Sequence, residues 1–102
     1  MPGTIYVSRS DVETIIKIKG RFVFDPHRQF RSAYYVEKDK KNKQFVIDMS
    51  EVEYLDSSAI WMLLVMRDET GAPDGSISII NAKNSVARLL HTVNLQRLFI
   101  IK

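Results

Sequence analysis

Tyr54-Leu55-Asp56-Ser57-Ser58-Ala59-Ile60-Trp61 is the stretch on which the reading of this chain turns. An apolar strand, Phe45-Val46-Ile47-Asp48-Met49, comes shortly before it, and a long apolar run from Ala59 to Met66 follows. Asp56, Ser57 and Ser58 therefore stand where a strand connection ends and a helix begins. Asp and Ser are favoured there because their side-chain oxygens accept hydrogen bonds from the orphan N–H groups of the first helical turn. On these residues alone an ordinary helix cap is the first reading. A serine so placed is also partly exposed, and a phosphate added to it meets the positive end of the helix dipole.

Working outward, Thr4 to Ser8 and Val12 to Lys19 alternate in polarity and read as two strands joined by a short hairpin-like connection at Arg9-Ser10-Asp11. Asp25-Pro26 reads as the start of a helix, with Asp25 as N-cap and Pro26 at the first helical position. Phe30, Ala33, Tyr34 and Glu37 continue that helix at helical spacing. The run of apolar residues in Phe45 to Met49 predicts a central strand buried on both faces. The second helix is expected over about Ser57 to Thr70, stopped by Gly71-Ala72-Pro73-Asp74-Gly75. Ser76 to Asn81 is the fourth strand. A third helix starts at Asn84 or Ser85 with Val86, Leu89, Leu90 and Val93 as its apolar stripe, and Leu98 to Ile101 is a short final strand. The order ββαβαβαβ predicts one α/β domain over residues 1–102, a mixed sheet of about five strands with about three helices.

Composition narrows the chemistry. A length of 102 residues suits one core. There are no cysteines, which removes disulfides and cysteine-rich metal sites and leaves a reducing compartment unopposed. No signal-peptide pattern opens the chain, and no apolar run approaches the roughly 20 residues needed to span a bilayer, so cytoplasm is the expectation. The net charge of +3 is mild. The densest basic cluster, Lys38-Asp39-Lys40-Lys41-Asn42-Lys43, has no interleaved aromatics and reads as a solvated loop, so no direct nucleic-acid partner is expected. His27 and His91 stand alone, and no glycine-rich phosphate loop, paired-histidine motif or nucleophile elbow is present. Asp48, Asp56 and Ser57 lack a base at a workable spacing. The expectation is a non-enzyme with no cofactor and no metal.

The second helix carries a sharper signal. At 100° per residue, Ala59, Met62, Leu63, Met66 and Thr70 share the side that packs on the sheet, while Ser57, Trp61, Leu64 and Asp68 fall opposite. Burial of Trp61 and Leu64 under another helix or loop is the plain explanation. A docking surface anchored on Trp61 is the functional one. Phosphorylation of Ser57 at the edge of such a surface puts about −1.5 to −2 charges into a contact that must desolvate.

These residues resemble a family: the STAS domain proteins, specifically the small bacterial anti-sigma factor antagonists. The resemblance rests on Phe45 to Ser50, on Val52 to Ala59 with its Asp-Ser-Ser core, and on the apolar helix that follows. Ile77 to Asn81, Val86-x-x-Leu89-Leu90 and Gly20-Arg21-Phe22 also match. It implies a protein–protein switch. The unphosphorylated protein binds an anti-sigma factor, often itself a serine kinase, and so frees the sigma factor; a PP2C-type phosphatase reverses the phosphorylation. The implied phosphoacceptor is Ser57, with Ser58 the runner-up, and Asp56 orients it. Asp56, Ser57, Ser58, Trp61 and Leu64 are the expected partner surface, helped by the Gly20 to Pro26 and Tyr54-Leu55 loops.

Three features depart from the family pattern. Ala59 and Trp61 stand where glycines are usual, Val23 stands where many members carry an acid, and the common C-terminal helix after the last strand is missing. Homodimerisation is one way to replace that layer. The alternative function is a STAS scaffold subunit, stressosome-like or transporter-associated, in which Asp-Ser-Ser is an unmodified cap; a small enzyme or nucleotide-binding protein is a third class without a cradle in the sequence.

Overall fold

The computed structural model describes residues 3–37, 44–71 and 76–102. The elements run β1 (Thr4–Arg9), β2 (Glu13–Phe22), α1 (His27–Tyr35), β3 (Gln44–Leu55), α2 (Ser57–Thr70), β4 (Ile77–Ile80), α3 (Asn84–Thr92), a 3-10 turn (Leu95–Arg97) and β5 (Ile100–Ile101). The five strands lie side by side in chain order, β1 antiparallel to β2 and the rest parallel. Each parallel step needs a crossover, and a helix supplies it every time. The order ββαβαβαβ and the mixed five-stranded sheet are those expected from the sequence.

One core cluster holds the domain. Ile16, Ile18 and Phe22 of β2, Phe45, Ile47 and Met49 of β3, and Ile77 and Ile79 of β4 are buried against the helices. Their neighbours Ile15, Lys17, Val46, Asp48, Ser78 and Ile80 are only half-buried. The expectation that the third strand is buried on both faces is therefore corrected. Its apolar run contains a strict alternation, and the second face carries the Lys17–Glu51 ion pair at 2.8 Å and Asp48. The strand is also longer than Phe45 to Met49. It continues through Val52 to Leu55, so Tyr54-Leu55 is strand and not loop.

Other boundaries moved for local reasons. Asp25 does not cap α1: the cap position is Pro26, with no side-chain cap bond, and the Phe24 carbonyl takes the His27 N–H at 2.9 Å in a turn ahead of the helix. β2 runs on past Gly20, which sits at φ 89° beside the irregularity in its pairing with β3, a conformation open to glycine. Val93 is exposed and ends α3 instead of joining its stripe, because Asn94 turns the chain at φ 62°. Leu98 and Phe99 precede β5, packed by the 3-10 turn. The basic cluster at 38–43 and residues 72–75 of the expected stop lie outside the described residues.

α2 begins and ends as its sequence predicts. Asp56 caps it, Gly71 closes it at φ 62° in the left-handed conformation, and Ala59, Met62, Leu63 and Met66 are its buried residues. A three-group anchor ties α1 to α2: Arg31 grips the Glu69 carboxylate through Nε (2.9 Å) and a terminal nitrogen (2.7 Å), and the Tyr34 hydroxyl donates to it at 2.6 Å. No helix among the described residues is long and apolar enough to cross a membrane.

Candidate functional site

The site is built at the junction of β3 and α2. Leu55 is buried and pins the end of the strand. Asp56 then takes an extended backbone, and its side chain accepts the N–H groups of Ser58 (2.9 Å) and Ala59 (3.3 Å). Two of the orphan donors of the first turn are thereby satisfied. Ser57 is left exposed and Ser58 half-buried, so the Ser57 hydroxyl stands clear of the cap that holds its backbone.

Phe24, from the connection between β2 and α1, joins Ser57, Ser58 and Trp61 around a shallow surface pocket. Phe24 is 49% exposed and Trp61 55% exposed. Phe24 is not left to swing freely: its ring stacks on His27 with centroids 4.1 Å apart and planes 14° from parallel. The stack is fixed in turn because His27 Nδ1 lies 2.9 Å from the Phe24 carbonyl oxygen. On its other side Trp61 borders an apolar groove between α1 and α2, floored by Phe30, Tyr34, Met62 and Val65 and closed at its far end by Arg31 and Glu69. Trp61 is thus the shared wall of two recesses.

Of the residues singled out in the sequence, Ser57, Ser58 and Trp61 come together and Asp56 supports them from behind. Leu64 is 39% exposed but lines neither recess. Phe24 and His27 carry weight that sequence reading did not assign them, although both lie in or next to the Gly20 to Pro26 segment expected to contribute. The available signal was an apolar residue continuing past Val23, two positions ahead of Pro26. Tyr54, half-exposed at the end of β3, is covered by the Arg21 guanidinium at 4.7 Å from its ring centre.

Electrostatics around the site are set by the helix anchor. Burial, and then the bond to Glu69, push the Tyr34 hydroxyl well above its ordinary range, so it stays a donor at neutral pH. The same carboxylate raises Arg31 further. Among the described residues, no group of three or more histidines, cysteines or acids is placed to hold a metal ion.

A five-stranded mixed sheet in chain order, with an aspartate-capped helix presenting an exposed serine, defines a SpoIIAA-like α/β domain. The architecture matches SpoIIAA from Bacillus in its phosphorylated form, at a TM-score of 0.72 with 13% identity, over 97% of this chain and 91% of that one. It also matches an anti-sigma factor antagonist from Mycobacterium paratuberculosis, at a TM-score of 0.76 with 20% identity, over 97% and 84%. The chain belongs to the STAS domain family: the family model described as Mlab, STAS domain matches residues 5–101. A STAS-domain containing protein of Pseudomonas aeruginosa strain UCBPP-PA14 is 38% identical over 99 residues, 97% of each chain.

Proposed function

We propose that this protein is an anti-sigma factor antagonist of the cytoplasm, binding its anti-sigma factor through the surface around Ser57 and Trp61 and released by phosphorylation of Ser57. The observation that carries the reading is the exposed Ser57 at the start of α2, which lines one pocket with Phe24 and Trp61. Asp56 already occupies the Ser58 and Ala59 N–H groups. A phosphate on Ser57 therefore has to compete with a carboxylate for the helix terminus and projects into the pocket instead. There it charges an apolar contact that binding must desolvate. Membership of a STAS family, and the antagonist and phosphorylated forms named among its structural relatives, support the same reading. A serine kinase, which the anti-sigma factor itself would supply, and a PP2C-type phosphatase complete the cycle.

The test is phosphosite mass spectrometry on protein from its own host, together with binding of the purified anti-sigma factor to wild type, Ser57→Ala and Ser57→Asp. Phosphate on Ser57, with binding kept by alanine and lost by aspartate, is the expected result. Phosphate on Ser58 alone, or equal binding by all three proteins, overturns it. A permanent scaffold contact is the second reading. It is favoured by the apolar groove that extends the Trp61 surface between α1 and α2, and it requires a partner whose binding ignores kinase and phosphatase.

A further inference from the structure

The sheet ends on an open strand. Among the described residues β1 has β2 on one side and no strand on the other, and five of its six residues are exposed. Such an edge offers a row of unpaired N–H and C=O groups, and proteins usually guard it with lysine, proline, a bulge or brevity. Thr4-Ile5-Tyr6-Val7-Ser8-Arg9 contains no lysine and no proline, its one charge, Arg9, stands at the end of the strand and donates to the Ala33 carbonyl at 2.7 Å, and the strand pairs with β2 without a register break. The opposite edge, β5, is only two residues long.

The core also runs out at this edge. Ile5 and Val7 lie opposite Ile18 and Ile16, which are fully buried, so both point to the helix-covered side of the sheet. Yet Val7 is 40% exposed, and with Ile5 and Ala33 it forms the apolar part of an open trough beside α1 whose rim is Arg9, Arg28, Gln29 and Ser32. On the other side of the sheet Tyr6, opposite Lys17, is 51% exposed. Apolar surface is thus open on both faces of one strand.

We propose that β1 pairs antiparallel with β1 of a second copy, across a two-fold axis through Tyr6 and normal to the sheet, to make one continuous sheet. The register follows from the residues. A two-fold normal to the sheet keeps each side chain on its own face, so paired positions must be an even number apart in sequence. Centred on Tyr6, the pairing sets Tyr6 against the second copy's Tyr6, Ile5 against its Val7 and Thr4 against its Ser8. These three pairs match aromatic with aromatic, aliphatic with aliphatic and hydroxyl with hydroxyl, combinations that stabilise cross-strand contacts, and Arg9 at the strand's end falls opposite the second copy's Gly3. Centred on Val7, the same operation sets Ile5 against Arg9 and Tyr6 against Ser8, which wastes both apolar faces. The Ile5–Val7 pairs carry the apolar layer across the axis. The Ser57 surface is not part of this contact, so dimerisation and the switch proposed above stand or fall separately.

Sedimentation equilibrium on the full chain tests the association, and a single cysteine tests the register. The expected result is a reversible dimer that Tyr6→Lys weakens at least about tenfold, as a lysine on an edge strand does, with the melting curve of the variant showing that it remains folded. In the cysteine-free background, Tyr6→Cys faces its own copy within disulfide reach and oxidises to a covalent dimer. Ser8→Cys faces Thr4 and does not. A monomer at every concentration, a dimer indifferent to Tyr6→Lys, or equal cross-linking from positions 6 and 8 overturns the proposal.

Discussion

Asp56 accepts the backbone N–H of Ser58 at 2.9 Å, which fixes the first turn of α2 without using the hydroxyl of the serine between them. The two tasks of the junction are thereby divided. The aspartate holds the helix, and Ser57 stays exposed. Replacing Asp56 by alanine removes an N-cap and costs about 1 kcal/mol of stability. Asp56→Asn keeps an acceptor and loses only a fraction of that. Urea denaturation of the three proteins measures the difference, and equal loss in both variants would show that charge and not capping is the contribution.

Phe24 and Trp61 line a pocket with Ser57 and are half exposed, so neither holds the core together. Alanine at either position should change stability by no more than about 0.5 kcal/mol. If they are the anchors of the docking surface, each substitution weakens binding to the cognate anti-sigma factor by about 2 kcal/mol, roughly thirtyfold. Titration calorimetry reads the binding, and a chemical melt reads the stability. Leu64→Ala is the control, because Leu64 borders neither recess.

Tyr34 and Glu69 join α1 to α2 by a 2.6 Å bond to a charged acceptor. Tyr34→Phe keeps the ring in its buried place and removes the donor. The expected loss is about 1.5 kcal/mol, the lower end for a hydrogen bond to a charged group. The Arg31 clamp remains, so the carboxylate is not stranded. A phenylalanine variant as stable as wild type would mean that Arg31 alone satisfies Glu69.

The open face of the sheet makes stability depend on acid. Burial is the largest influence on Asp48 and pushes its carboxyl up. It is outweighed by the Ser50 N–H at 2.9 Å, the Ser50 hydroxyl, Asn81 and the nearby Lys17, which together hold it below its ordinary range. Glu51 is held low by its bond to Lys17 and the attraction of that charge. With both folded values depressed, the unfolded chain binds more protons in acid. Their contribution is present above the ordinary carboxylate values and is lost as pH falls through the folded ones. Lys17 is raised by the same partner, so its contribution is present below its ordinary value and disappears as pH rises through the folded one. Stability against pH should therefore slope upward out of acid and flatten near about pH 5. Asp48→Asn should make the acid slope shallower in a series of denaturant melts.

The sequence by itself determined what depends on neighbours a few residues apart. The 3.6-residue period of Ala59 to Met66, the Asp56 cap and the Gly71 stop place α2 at the same ends in sequence and structure. The alternation of apolar residues and the succession of strand and helix patterns determine the order of elements along the chain. Each of these is a local preference acting over one turn or one strand. Tertiary structure alone decided the rest. Phe45 to Met49 reads as doubly buried, yet all the core lies to one side, because burial depends on which elements cover a face and not on the strand's own composition. Phe24 meets Trp61 across a pocket although 37 positions separate them, and Tyr34 reaches Glu69 across 35. Such contacts follow from how α1 and α2 settle side by side on the sheet, a packing choice that no window of sequence contains.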